Sequence, residues 1–220
     1  MYINTRNISD FTAGVWLQQF EYKSFMPERI NAEWILSDNA LQVLLSEADR
    51  EIGRLDAFST LIPDVDFFIK MHITKEATVS SKIEGTQTSF EEAFVKEDAI
   101  DLERRDDWQE VNNYVQAINF AIEQMNVLPL STRLIQQTHR ILLSGARGKD
   151  KLPGEYRKSQ NWIGSSLKHA SFVPPPHDTI HELMQDLENF INIELGNVPI
   201  EIPHLIKIAI IHYQLGKNRL

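Results

Sequence analysis

Apolar residues recur every three or four positions along most of this chain. One such stripe, from Asn39 to Phe58, predicts a helix that Ser37 or Asp38 can cap. A second helix is predicted from Asp64 to Gly85, because glycine readily adopts the left-handed conformation that ends helices. The same spacing predicts four more helices: Trp108–Met125, Ser131 or Thr132 to Leu142, Ile180 to about Glu194, and one that opens after Pro203.

Patterns typical of strands are scarce. Alternating apolar and polar residues occur only near Trp162 to Val173, which predicts one short hairpin. A further helix is expected to begin at Thr88, where Glu91 three residues later completes a capping box. The pattern as a whole predicts an all-α protein with one short β-hairpin.

The last predicted helix is apolar on nearly every side. Such a helix expects burial all round, and each aliphatic side chain left in water would cost about 1.5 to 3 kcal/mol. If nothing covers this helix, we expect the chain to form a homo-oligomer through it or to aggregate. The residues that create this surface are Leu205, Ile206, Ile208, Ala209, Ile210 and Ile211.

Composition and charge exclude several classes of protein. Of the 220 residues 42% are hydrophobic and 24% charged, as in ordinary globular proteins. The formal net charge of −9 would repel a phosphate backbone, so no nucleic-acid partner is expected. With no cysteine, no signal-peptide pattern and no apolar run long enough for a membrane span, a cytoplasmic location is predicted.

The stretch Pro153 to Pro176, PGEYRKSQNWIGSSLKHASFVPPP, has an order of small, aromatic and proline residues too particular for a generic loop. It resembles the target-docking flap of Fic-domain proteins, which transfer AMP from ATP to a hydroxyl side chain of another protein. The resemblance implies a Fic-like helical bundle whose flap offers backbone groups to an extended segment of the target protein. The flap residues expected to flank that pairing edge are Trp162, Ile163, Phe172 and Val173.

A second stretch, SSKIEG at Ser80 to Gly85, strengthens the resemblance. Ser80 and Glu84 are four residues apart and share one face of the predicted helix. The family pattern S/T-x-x-x-E-G/N marks an inhibitory helix, and Ser80, Glu84 and Gly85 match it. The resemblance implies that Glu84 pairs with an arginine of the catalytic motif, which then cannot bind the terminal phosphate of ATP.

The charge-rich stretch Lys96 to Asp107 is the most plausible seam between domains. By the resemblance, residues 1–105 form an N-terminal helical region with the inhibitory helix. Residues 106–220 then form part of a Fic domain.

The catalytic loop of the family, H-P-F-x-D-G-N-G-R-x-x-R, does not occur in these residues. The chain reads IHYQLGKNRL where relatives run from HYQ into that loop, so a C-terminally truncated fold without catalytic residues is expected. ATP and Mg serve the intact family, and Gln214 of HYQ is expected near the nucleotide. Three interpretations of the chain stay open. It is an inactive remnant of an adenylyltransferase, an antitoxin-like regulator of a separate Fic enzyme, or a helical interaction scaffold.

Histidine could in principle supply a metal site. His177 and His181 are four residues apart, yet no third ligand follows at a recognisable spacing. The sequence therefore predicts no metal site.

Overall fold

The computed structural model of the protein describes residues 5–83, 85–145, 152–192 and 202–218. Its helices follow the apolar pattern closely. Asp38 caps the first helix, since its Oδ1 accepts hydrogen bonds from the amides of Ala40 and Leu41. Asp64 caps the second helix, since its Oδ1 accepts a hydrogen bond from the amide of Phe67. The six helices in the described part are α1 Asn39–Ser59, α2 Val65–Ile83, α3 Arg105–Met125, α4 Thr132–Leu142, α5 Ile180–Ile191 and α6 His204–Asn218.

Short strands accompany these helices in pairs. The predicted hairpin is present, with β5 Ile163–Gly164 antiparallel to β6 Ala170–Phe172. Two further pairs near the N-terminus were not predicted. In these, β1 Thr5–Asn7 runs parallel to β4 Glu33–Ile35, and β2 Gly14–Gln18 runs antiparallel to β3 Lys23–Pro27. The fold is therefore the helical class that the sequence predicts, with more strand than its pattern indicates.

No α-helix begins at Thr88, so that prediction is wrong. The capping box lies one residue later: the Ser89 amide donates to the Glu92 carboxylate and the Glu92 amide to the Ser89 hydroxyl. It opens only the 3₁₀ turn Glu92–Phe94, because the backbone at Val95 is already extended.

The chain divides into two compact units that interleave along the sequence. The first unit comprises Met1–Arg50, Leu130–Thr132 and Tyr156–Leu220, and the second comprises Glu51–Pro129 and Arg133–Glu155. The domain division that the sequence predicts near residue 105 stays a prediction.

In the first unit, α5 supplies the core. It packs on α6, and α6 in turn contacts β3. Ile206 of α6 is buried, whereas Ile208 is 60% exposed, so α6 is not covered on every side. Full burial of an aliphatic or aromatic side chain contributes about 1.5 to 3 kcal/mol, so the apolar face of α5 contributes substantially to stability here. That face consists of Ile180, Leu183, Met184, Leu187 and Phe190.

In the second unit, α2 packs on α3 through small residues. Ala77 of α2 and Val111 and Ala117 of α3 are fully or nearly fully buried. Thr74 and Thr78 are also buried on α2, and their hydroxyls donate to backbone carbonyls one turn earlier. Small side chains allow two helices to approach closely. The packing of α2 on α3 therefore sets the orientation of α2 within the second unit.

Across the ranges described above, no helix is long and apolar enough to cross a membrane.

Candidate functional site

The C-terminus of α2 has the geometry that the sequence predicts for the end of the SSKIEG stretch. Gly85 has φ of +102°, its amide donates to the Lys82 carbonyl, and the Thr86 amide donates to the Ser81 carbonyl. These are the paired hydrogen bonds of a Schellman motif, in which glycine tolerates the left-handed position. Ser80 is half-buried, and its hydroxyl donates to Glu76 at 2.7 Å. Glu84, the predicted inhibitory residue, lies outside the described residues.

The segment that leaves α2 is fixed to the start of α3. The buried carboxylate of Asp107 accepts a 2.7 Å hydrogen bond from the Gln87 amide. Arg104 forms a two-pronged ion pair with Glu92 and also donates to the Gln87 carbonyl. Bidentate arginine–carboxylate pairs fix geometry as well as charge. Sequence reasoning missed this network, because Arg104 and Asp107 lie in a stretch interpreted only as a charged seam, and their partners Glu92 and Gln87 lie 12 to 20 residues earlier, outside it.

The beginning of the PGEYR stretch is held against α4. Gly154 is buried with φ of +78°, and a Cβ there would lie 2.8 Å from the Gln136 carbonyl oxygen. Its amide donates to Nδ1 of His139 at 3.0 Å. Burial lowers the pKa of the His139 imidazole below its usual value of 6.5, which favours the neutral ring that this hydrogen bond requires. The small residue at position 154 therefore permits a contact that no side chain would allow.

The predicted flap residues lie in and beside the β5–β6 pair. Ile163 of β5 is opposite Phe172 of β6, and both are at least partly accessible to solvent. Trp162 is 42% exposed, whereas Val173 is buried. Pro174 and Pro175 beyond it are also buried, with carbonyls that accept hydrogen bonds from Gln160 and Arg157 respectively. The structure thus presents Trp162 and Ile163 to solvent on a braced hairpin.

The N-terminal hairpin β2–β3 adjoins this flap, which the sequence did not predict. The Phe25 amide of β3 donates to the Val173 carbonyl at 2.8 Å. The ring of Trp16 packs edge-on against Phe25 and Phe172, with centroids 5.3 and 5.9 Å apart. The ammonium of Lys217 lies 5.0 Å from the Phe172 centroid and 5.4 Å from that of Phe25, within cation–π range. An aromatic cluster therefore joins the first strands of the chain, the flap and the end of α6.

Gln214 is fully buried on α6, and neither atom of its amide has a hydrogen-bond partner in the part of the chain that the structure describes. Asn218, one turn later, is equally buried and makes only a weak 3.6 Å contact from its nitrogen to the sulfur of Met184. Buried amides without partners are rare, because each costs about 1 to 3 kcal/mol. Gln214 belongs to the first unit, and Ser80 and Gly85 to the second.

The described ranges contain no group of three histidine, aspartate or glutamate side chains that could hold a metal ion. The ring of His181 instead packs at a right angle on Tyr156, with centroids 4.7 Å apart.

Comparison with known proteins matches two consecutive parts of the chain. Residues 42–123 match the family described as Fic/DOC family N-terminal, and residues 129–219 match the Fic/DOC family. No curated protein matches the chain.

Among solved structures, the chain is similar to a Fic family protein from Desulfovibrio desulfuricans G20, with a TM-score of 0.57 and 22% sequence identity. The similarity covers 82% of this chain and 51% of that one, so this chain matches about half the length of its structural neighbour. At this identity the likeness shows a common fold.

Proposed function

Because the chain belongs to the Fic/DOC family, we propose that it derives from a Fic-type protein adenylyltransferase restrained by its own inhibitory helix. The reaction of such an enzyme joins the hydroxyl oxygen of a target side chain to the α-phosphorus of ATP. The bond from that phosphorus to the β-phosphate oxygen breaks, pyrophosphate leaves, and the hydroxyl proton passes to a general base.

One observation carries the proposal for the inhibitory helix. The stretch that matches the inhibitory pattern lies at the C-terminal end of α2, where Gly85 ends the helix as the pattern requires. A carboxylate at a helix C-terminus is mildly unfavourable against the helix dipole, so a glutamate at position 84 is better explained by an arginine partner than by helix stability. We assign Glu84 the role of holding the motif arginine away from ATP, with Ser80 on the same face.

We assign the flap the role of binding the target protein. Ile163 on β5 and Trp162 just before it are accessible to solvent. Phe172 on β6 lies opposite Ile163, and the buried Val173 follows it. An extended target segment that pairs with such a hairpin gains main-chain hydrogen bonds whatever its sequence. We place the target hydroxyl along this hairpin.

The residues present do not supply the catalytic chemistry. The motif with the family's histidine, magnesium-binding carboxylate and phosphate-binding arginines is absent from the 220 residues. In the intact family that motif holds the magnesium ion, so we assign no magnesium site to these residues. We keep Gln214 as a nucleotide-proximal residue, because its amide has no partner among the described residues and so offers a donor and an acceptor to a polar group. We expect the 220 residues alone to be inactive, and cytoplasmic because they contain no cysteine.

The experiment compares the chain with a version that carries the family catalytic loop in place of the residues after Gln214. Both are incubated with Mg²⁺ and ATP labelled at the α-phosphate, and label on protein is measured. We expect label only in the version with the loop, and more of it after Glu84→Gly. Asp66→Asn is the control, because it removes the same charge from an exposed position of the same helix far from Ser80.

Label transferred by the unmodified chain, or equal label with and without Glu84, would contradict the proposal. If the chain instead co-purifies with a separate Fic enzyme and inhibits it until Glu84 is replaced, the antitoxin-like role is correct.

A further inference from the structure

We propose that the groove between hairpin β2–β3 and the flap binds an acidic, extended segment of the target protein. This inference rests on the proposed function, because it adds a recognition element to the flap of the same enzyme. It assigns a role in target choice to residues 14–27, which lie outside both family matches.

The groove is a concave site of about 370 Å³ that lies wholly within the first unit. Its floor and walls come from two hairpins that are hydrogen-bonded to each other from Phe25 to Val173. A segment that pairs along the flap would therefore pass directly beside β2 and β3. The side chains that define the groove are Trp16, Tyr22, Lys23, Leu167, Lys168 and Phe172.

The charge of the groove is opposite to that of the protein. Among the residues that the structure describes, Lys23 and Lys168 line it and no aspartate or glutamate does. Lys217 does not line the groove, but its ammonium lies 5.0 Å from the centroid of the Phe172 ring and so adds positive charge nearby. The chain as a whole has a formal net charge of −9. A positive groove on a negative protein attracts acidic segments to one place and repels them elsewhere, which favours orientation and fast association.

The apolar part of the groove provides an anchor. Trp16 is 51% exposed, although its ring already packs edge-on against Phe25 and Phe172. A ring held in this way loses little freedom on binding, and tryptophan residues are frequent at the centres of binding interfaces. The combination fits a segment in which an apolar or aromatic residue is flanked by aspartate or glutamate.

The test uses the chain as it exists and two fluorescent peptides of about ten residues, a length that spans a standard strand with flanks. One peptide contains Tyr-Val flanked by glutamates, and the other contains Tyr-Val flanked by lysines. Binding is measured by fluorescence anisotropy without ATP. We expect the acidic peptide to bind at least about 10-fold more tightly, and the difference to shrink as salt rises from about 0.05 to 0.5 M.

Substitutions locate the site. We expect Lys168→Glu and Lys23→Glu each to weaken the acidic peptide by about 5-fold or more, and Trp16→Ala to weaken it by a similar factor. Lys70→Glu is the matched control, because it changes the net charge equally at an exposed position of α2. Thermal melts of all four variants establish that they are folded.

Equal binding of the two peptides, no binding of either, or equal loss in Lys70→Glu and Lys168→Glu would overturn the inference. The outcome is separable from that of the labelling experiment. AMP transfer without a preference for the acidic peptide supports the proposed function and contradicts the role of the groove in target binding. Selective peptide binding without AMP transfer by the version with the loop supports the groove as a binding site and contradicts the proposed enzymatic function.

Discussion

The carboxylate of Asp186 on α5 accepts a 2.7 Å hydrogen bond from the backbone amide of Ile30, a residue 156 positions earlier in the chain. The same oxygen also accepts from the amide of Asn31 at 3.3 Å. Asp186 and Ile30 are both buried. This carboxylate thus ties the segment between β3 and β4 to α5, a helix that contributes a buried apolar face to the first unit.

Two replacements of Asp186 distinguish the contribution of its hydrogen bonds from that of its charge. Asp186→Leu leaves the buried Ile30 amide without a partner, and we expect the free energy of unfolding to fall by about 1 to 3 kcal/mol. Asp186→Asn keeps an oxygen acceptor, so we expect a much smaller loss. Urea unfolding monitored by tryptophan fluorescence measures both variants, and equal losses would show that the hydrogen bonds do not stabilise the fold.

The pH dependence of the Asp186→Asn comparison has a defined sign. Burial, opposed by the two amide hydrogen bonds and by Arg29 and Arg6, raises the pKa of the Asp186 carboxyl above 3.8 in the folded state. The folded state therefore binds the proton more tightly, and this stabilisation is present below pH 3.8 and lost as pH rises through the folded pKa. We expect Asp186→Asn to become more favourable relative to wild type as pH rises from about 3.8 to 7. An unchanged difference across that range would contradict the raised pKa.

The hydrogen bond from Gly154 to His139 predicts a local opening in acid. The pKa of His139 is lowered in the folded state, so the unfolded state binds more protons, and stability is complete above about pH 6.5 and falls as pH drops toward the folded pKa. Protonated imidazole has no acceptor for the Gly154 amide. We expect the hydrogen-exchange protection factor of that amide to fall as pH is lowered from about 7.5 to 5.

His139→Asn is the control for that experiment, because the asparagine oxygen accepts a hydrogen bond at every pH in this range. Its protection factor at Gly154 is expected to stay constant. If wild type and His139→Asn lose protection equally, the imidazole does not hold the turn.

Gln214 predicts a substitution that stabilises the protein. Leucine at this position would fill nearly the same space without a buried amide that lacks partners among the described residues. We expect Gln214→Leu to raise the free energy of unfolding by about 1 kcal/mol, which corresponds to about 2 to 4 °C in Tm for a protein of this size. Gln214→Glu, which buries a charge instead, is expected to lower Tm. A lower Tm for Gln214→Leu would indicate that a polar group in solution satisfies the amide.

Much of the helical part of this fold can be read from the sequence, because the helices follow continuous apolar stripes and the first two begin at a capping side chain. Asp38 and Asp64 cap α1 and α2 where the pattern places them. The flap hairpin follows from the particular order of residues in Pro153 to Pro176. These features depend on neighbours within a few residues, which a single sequence contains.

The N-terminal hairpin could not be predicted in this way, because its burial does not alternate. On β3, Ser24 and Phe25 are adjacent and both buried, whereas Val15 to Gln18 of β2 are all exposed. Strand prediction depends on alternation, and the contact that buries Phe25 lies with Val173, far along the chain. The aromatic content of VWLQQFEYKSF was the one available signal.

The hydrogen-bond partners of buried polar groups could not be predicted from the sequence either. Asp107 and Arg104 resemble any charged residues at the start of a helix until the Gln87 backbone is placed beside them. The environment of the Gln214 amide, which has no partner among the described residues, likewise depends on what surrounds α6. Long-range polar contacts of this kind leave no periodic trace in the sequence.

The hydrogen bond from Phe25 to Val173 has a practical consequence for anyone who trims this protein. A shortened form that starts at Asn39 would retain the six helices of the described residues, so the helical part of its circular dichroism spectrum would change little. It would nevertheless have lost the strand that flanks the flap and the indole of Trp16. A screen for substrates with such a form would then miss authentic targets although its helical content looked intact.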